Sequence, residues 1–141
     1  MAISFSNDSI QFNLKRKTAV KEWIKTVAKK EKKEIGDINY VFTSDELLLK
    51  TNIQYLNHNT YTDIITFDYS EGKKVNGDIF ISIDRVKENA EKFDVSFEEE
   101  LHRVMIHGVL HLCGYKDKSK MDSEIMRKKE NASLRLWKAA K

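Results

Sequence analysis

The chain of 141 residues contains no proline, five glycines and a single cysteine. One cysteine cannot form an internal disulfide, so nothing in the sequence points to an exported, disulfide-stabilised protein. Segments rich in proline, glycine or serine and internal repeats are also lacking, which leaves no place for a domain boundary. The sequence therefore predicts one domain over residues 1–141, a length typical of a single domain.

Long hydrophobic runs are missing as well. The longest apolar runs fall far short of the roughly 20 residues that a membrane span needs, and the first residues lack the charged-then-apolar order of a signal peptide. Hydrophobic residues make up 40% of the chain and charged residues 33%, the balance of a globular protein with a charged surface. We expect a cytoplasmic monomer that does not contact a membrane.

The excess of positive charge is small, at +3 overall, but the basic residues are concentrated. The segment from Lys15 to Lys33 holds nine lysines and arginines against two glutamates. Such a segment is either a solvated helix face or a surface that attracts a polyanion.

Hydrophobic periodicity predicts an α+β fold, in which a small mixed β-sheet of about four strands packs with about five helices. Strands are expected at residues 3–7 and 10–13 (one edge strand or a hairpin), at 38–43, and at 62–69 with 76–82 (a hairpin). Helices are expected at 18–33, 47–52, after Ser82, from 96 to 113 and at 122–140. Gly36 is the expected stop of the first helix, and Thr43 and Ser96 the expected caps of the second and fourth.

The most informative segment is the predicted fourth helix, in which His107 and His111 stand four residues apart. This spacing places both imidazoles on one face, one turn apart. Almost every neighbour is apolar, so the helix is expected to be a buried, central one. Two imidazoles in such a helix are costly unless each finds a partner, which is either a backbone carbonyl or a shared divalent cation.

Gly114 follows the helix and can turn the chain back toward the histidines. Asp117 is then the first side chain able to bind a metal ion. The predicted ligands are His107, His111 and Asp117, with a fourth position left to water, as in catalytic zinc (Zn2+) sites. Cys113 projects from another face and is expected in the core.

Gly108 distinguishes this pattern from that of the zinc peptidases. Their His-Glu-x-x-His pattern has a glutamate, the general base, at that position. Glycine cannot accept a proton, which disfavours peptide hydrolysis. His102, five residues before His107, is expected to be a surface or caged histidine.

With glycine at position 108, the segment HGVLHLCGYKD at residues 107–117 resembles the His-Gly-x-Leu-His-Leu-x-Gly-Tyr-Asp-His signature of the YbeY family of metal-dependent endoribonucleases. The segment YLNHNTYTDIITF at residues 55–67 is similar to a second family block, and Gly77-Asp78-Ile79 to a third. Two positions differ: the family's third histidine corresponds to Asp117, and an arginine of the second block corresponds to Leu56.

The resemblance implies a zinc-type site beside a positively charged cleft, cleavage of single-stranded RNA, and a part in ribosomal RNA maturation, chiefly of the small subunit. RNA and ribosomal particles or assembly factors would be its partners. Asp63 and Asp78, within the similar blocks, are candidate general bases or else turn residues, and Thr66 is a candidate to orient water or phosphate or else an ordinary strand residue. Five lysines are candidate RNA-binding residues: Lys116, Lys118, Lys120, Lys73 and Lys74.

Two other functions fit the same residues. The chain would be a non-catalytic RNA-binding factor of ribosome assembly if the metal only held the last helix against the core. A metallopeptidase is the third possibility, which Gly108 already disfavours.

Overall fold

The fold is given by a computed structural model that describes residues 2–56 and 62–139. Four strands and five helices occur within these ranges: β1 (Ala2–Asn7), α1 (Lys17–Lys30), β2 (Glu34–Thr43), α2 (Asp45–Leu56), β3 (Ile64–Asp68), β4 (Lys74–Ser82), α3 (Ile83–Lys92), α4 (Phe97–Leu112) and α5 (Lys120–Ala139). The expected α+β class, with its small sheet and five helices, is confirmed. In the described part of the chain, no helix combines the length and apolarity needed to cross a membrane.

The strands form one mixed sheet in the order β1-β2-β4-β3. β1 pairs with β2, and β2 with β4, in parallel, whereas β3 and β4 form the predicted antiparallel hairpin. β1 is the expected edge strand. The alternative hairpin is wrong, because residues 10–13 form no strand. Phe12 instead packs edge-on against Phe42, with ring centroids 5.0 Å apart.

Two local signals were misassigned. α1 ends at Lys30, and Gly36 lies inside β2, where an added Cβ would come within 2.1 Å of the Asn76 side-chain oxygen. Thr43 is the last residue of β2 rather than the cap of α2. Ser44 takes that role, since its Oγ accepts a hydrogen bond from the Leu47 amide at 3.2 Å.

α4 lies against the sheet at a distance that two glycines permit. A Cβ at Gly108 would lie 3.0 Å from the Cδ1 atoms of Ile64 and Ile79. A Cβ at Gly77, on β4, would lie 2.7 Å from the Phe67 carbonyl oxygen and 2.8 Å from Leu112. Both glycines are therefore needed for the close contact between helix and sheet.

We predict that Gly77→Ala lowers the free energy of unfolding by about 1–3 kcal/mol, because the new methyl group meets a backbone oxygen that cannot move alone. Gly108→Ala is the matched comparison. It meets only isoleucine side-chain atoms and gains up to about 1 kcal/mol of helix propensity, so its cost is smaller. Urea denaturation of the two variants measures the difference, and an equal or larger loss for Gly108→Ala would contradict this account of the packing.

Candidate metal centre

α4 carries the two predicted histidine ligands on its less buried edge. Ser96 caps the helix as predicted, because its Oγ accepts a hydrogen bond from the Glu99 amide at 3.0 Å. The rings of His107 and His111 pack edge to face with centroids 4.5 Å apart. Their side chains are 19% and 28% exposed, so a ligand can reach both.

The third predicted ligand is delivered by the turn after α4. Gly114, at φ 109°, donates its amide to the His111 carbonyl at 3.0 Å, and the Tyr115 amide donates to the Leu110 carbonyl at 3.1 Å. This pair of hydrogen bonds reverses the chain at the helix end. Asp117 Oδ2 then lies 3.3 Å from His107 Nε2 and 3.5 Å from His111 Nε2.

The other nitrogen of each imidazole already has a partner. His111 Nδ1 lies 2.9 Å from the Tyr115 carbonyl oxygen, and His107 Nδ1 lies 2.6 Å from Glu130 Oε2. A carbonyl can only accept, so His111 carries its proton on Nδ1 and presents the Nε2 lone pair. The carboxylate of Glu130 favours the same tautomer of His107.

The three ligand atoms lie within 4.8 Å of one another. Two imidazole nitrogens and a carboxylate oxygen form a donor set that suits zinc and related divalent ions. In both histidines an oxygen acceptor holds Nδ1, which leaves Nε2 free to bind a metal ion. The three residues therefore fit a divalent ion, in agreement with the prediction from their spacing.

Glu130, which sequence reasoning missed, lies under the site. It is 8% exposed, and its second oxygen accepts from Arg103 Nη1 at 2.9 Å. Burial favours the neutral acid, but the hydrogen bonds from His107 and Arg103 outweigh it, so the pKa of Glu130 is lowered. Burial conversely disfavours the charged form of His107, yet the hydrogen bond to Glu130 and the negative charges of Glu130, Asp117 and Asp63 together outweigh it and raise the pKa of His107.

A sequence signal for Glu130 existed. It stands between Met126 and Leu134 at four-residue spacing, so an acid interrupts the apolar stripe of α5. An acid in such a stripe is rarely buried without a charged or hydrogen-bonding partner. This position pointed to a buried polar contact, although not to His107 in particular.

An open cavity of about 990 Å³ extends from the two histidines. Asp63 and Thr66 are part of its wall, so the structure brings these two candidates to the site. Burial raises the pKa of Asp63, although the neighbouring His107 lowers it in part.

Asp78 is not brought to the site. It lies between Gly77 and Ile79, both of which face α4, and therefore points to the opposite face of the sheet. Its Oδ1 accepts a hydrogen bond from Asn39 Nδ2 at 3.0 Å.

Of the five candidate RNA-binding lysines, one lines the cavity and four are exposed elsewhere on the surface. Lys118 lines the cavity together with Arg127. Lys116 and Lys120 are exposed in or next to the same α4–α5 connection. Lys73 and Lys74 are exposed at the β3–β4 turn, where the Lys73 carbonyl accepts from the Glu34 amide at 2.8 Å.

Cys113 and His102 lie outside the ligand set. Burial raises the pKa of the Cys113 thiol to about 11, so the sulfur stays protonated near neutral pH and packs against the core as predicted. His102 is a caged histidine, with its ring centroid 5.5 Å from that of Trp23 and 4.4 Å from that of Trp137. Part of the block at residues 55–67 lies outside the described residues, namely 57–61, and so does the side chain of Leu56.

The fold and the site define an α+β protein with two histidines of a buried helix and one aspartate converging at the floor of an open cavity. Comparison with known proteins gives the family. Residues 2–138 match the family model described as Endoribonuclease YbeY, and the chain belongs to that family.

Curated relatives agree over nearly the whole length. The chain is 56% identical over 135 residues to "Endoribonuclease YbeY" of Flavobacterium psychrophilum, covering 96% of each chain. It is 54% identical over 134 residues to the protein of the same name from Parabacteroides distasonis, covering 95% of this chain and 94% of that one. The solution structure of TM1509 from Thermotoga maritima superposes with a TM-score of 0.64 at 29% identity, covering 99% and 93% of the two chains.

We predict that Glu130→Gln weakens binding of a divalent ion by about 10- to 100-fold, because His107 loses its carboxylate partner. Zinc affinity is measured by competition with a chromophoric chelator at about pH 8, where protons compete little for the imidazoles. Glu99→Gln is the control, since Glu99 pairs with Lys138 at 3.4 Å and lies outside the cavity wall. Wild-type affinity in Glu130→Gln would contradict the role of Glu130.

Proposed function

We propose that this protein is a zinc-type, metal-dependent endoribonuclease that cleaves single-stranded RNA and acts in ribosomal RNA maturation, chiefly of the small subunit. The observation that carries the proposal is the convergence of His107, His111 and Asp117, each imidazole oriented by an oxygen acceptor, at an open cavity. The family description supports the activity, because the curated relatives named above are endoribonucleases.

In this proposal, different residues of the cavity have different roles in phosphodiester hydrolysis. A bound divalent ion supplies Lewis acidity at the phosphate and lowers the pKa of water. Asp63 is the proposed proton acceptor, because burial raises its pKa toward the range in which a carboxyl group both takes up and releases protons. Thr66, on the same wall, is the residue proposed to orient water or a phosphate oxygen by its hydroxyl.

The cavity alone is a poor site for a polyanion. Its wall contains more carboxylates than cations, the carboxylates being Asp63, Asp68, Glu100, Asp117 and Glu130. Burial and the nearby Asp63 raise the pKa of Glu100. A bound metal ion and the cations of the wall would together attract phosphate, so we expect binding of RNA to depend on the metal.

Cations outside the cavity extend this attraction along a longer substrate. A contact between Glu31 and Tyr115 joins the lysine-rich end of α1 to the α4–α5 connection that carries Lys116 and Lys118. Glu34, which follows the same lysines, lies opposite Lys74 in the pairing of β2 with β4, next to the β3–β4 turn. These surfaces support a path for single-stranded RNA beside the metal centre. In this proposal the chain acts as a cytoplasmic monomer of one domain, on ribosomal particles or with assembly factors.

Peptide hydrolysis is disfavoured by the packing of position 108. The Cβ direction of Gly108 points at Ile64 and Ile79 of the sheet, so a larger side chain there would collide with both isoleucines. Gly108 itself has no side chain to accept a proton, and the close packing at this position disfavours the glutamate base that peptidases carry there.

The purified protein is expected to cut labelled single-stranded RNA, to lose this activity with a chelator, and to leave a peptide library intact. His111→Ala is expected to abolish cutting while circular dichroism shows a folded protein. RNA binding without metal-dependent cutting would instead identify a non-catalytic assembly factor. Unfolding on chelation would mark the metal as structural.

We further predict that Lys118→Gln/Arg127→Gln raises KM for RNA, because both side chains line the cavity and attract phosphate. The salt dependence of binding should fall by roughly 0.7 per lost phosphate contact in log–log slope. Lys87→Gln/Lys138→Gln, at two exposed lysines outside the cavity wall, is a control with the same change in charge. Equal effects of both double variants would show that only net charge matters.

A further inference from the structure

Glu31 stands where a glutamate is unfavourable. It directly follows α1, and the carbonyl dipoles at a helix C-terminus repel a negative charge. Its side chain is nonetheless only 16% exposed. Tyr115 donates its hydroxyl to Glu31 Oε1 at 2.5 Å, and Lys129 of α5 donates to Glu31 Oε2 at 3.1 Å.

Tyr115 belongs to the turn that forms the metal centre. Its amide completes the reversal after α4, and its carbonyl oxygen is the acceptor that orients His111. Asp117 follows two residues later. Holding the Tyr115 side chain therefore fixes both the acceptor of one ligand and the start of the segment that delivers another.

Few other side-chain contacts hold this turn among the described residues. Asp117 is 44% exposed, and its carbonyl accepts from Ser123 Oγ at 3.1 Å. Without the contact to Glu31, the turn samples more conformations, and binding a metal ion must then restrict them. The contact between α1 and the turn should thus contribute to metal affinity.

We propose that Glu31, far from the ligands in sequence, is a positioning residue of the metal centre and acts through Tyr115 on His111 and Asp117. The effect on a metal ion is one contact more remote than that of Glu130. Lys129 supports the same carboxylate from α5, so three helices meet at the turn. This inference rests on the proposed metal centre and adds a residue to it that touches neither metal nor substrate.

The test compares Glu31→Ala and Tyr115→Phe with the wild-type protein in zinc competition titrations. We expect each variant to bind zinc roughly 10-fold more weakly, at the low end of effects on oriented ligands. The double variant should be no weaker than the weaker-binding single variant, because both changes remove one contact. Glu22→Ala is the control: Glu22 lies on α1, which Glu31 follows, and its side chain forms an ion pair with Lys25 at 3.5 Å on the surface.

A second readout uses the metal-free protein. Nitrogen-15 spectra of the His111 imidazole should show Nδ1 protonated in the wild type and a mixture of tautomers in Glu31→Ala and Tyr115→Phe. Tyr115→Phe removes only a hydroxyl, so the proposal can still be tested with this variant if Glu31→Ala fails to fold. A lower melting temperature with wild-type zinc affinity and wild-type His111 spectra would overturn the proposal. Additive losses of zinc affinity in the double variant would overturn it as well.

These outcomes are separable from the proposed function. A wild-type protein that binds no zinc or cuts no RNA contradicts the nuclease proposal. In that case the His111 spectra of the metal-free variants still decide whether Glu31 positions this histidine. Conversely, an active nuclease whose Glu31→Ala variant keeps wild-type affinity and spectra contradicts only the positioning role.

Discussion

The close contact of α4 with the sheet is the constraint on which the site depends. Gly108 on the helix and Gly77 on β4 remove the side chains that would hold the two apart. With one face of α4 fixed on the isoleucines of the hairpin, His107 and His111 emerge at its edge, toward the cavity. Since a packed interior resists displacement, apolar packing sets where the two histidines leave the helix before any ligand is present.

Around this frame, buried charges are tolerated because they orient the ligands. Glu130 sits in the apolar stripe of α5, yet one oxygen contacts His107 and the other accepts from Arg103, so neither is left without a partner. Glu31 is held in a comparable way at the end of α1, by Tyr115 and Lys129. Packing of α1 and α5 against α4 is thereby coupled to the orientation of the candidate metal ligands.

Sequence reasoning succeeded for features that neighbouring residues decide. The helical spacing of His107 and His111, the turn at Gly114 and the cap at Ser96 involve only residues within a few positions of one another. It failed for two residues that carry a local signal for a helix end or a helix cap but belong to a strand of the sheet. Glycine is typical of a helix end, but Gly36 lies in β2, where the Asn76 side chain leaves no room for a Cβ. Thr43 has the spacing of a cap, but strand pairing with Ser82 continues through it.

The α+β class and the position of the three candidate ligands were thus determined by the sequence itself, because periodicity and turn geometry act over one or two helical turns. Only the tertiary structure decided that Asp63 lines the cavity while Asp78 faces away, and that Glu130 and the Tyr115 carbonyl hold the imidazoles. These contacts join residues distant in sequence. Their partners are selected by how the helices and strands pack, and no local pattern encodes that selection.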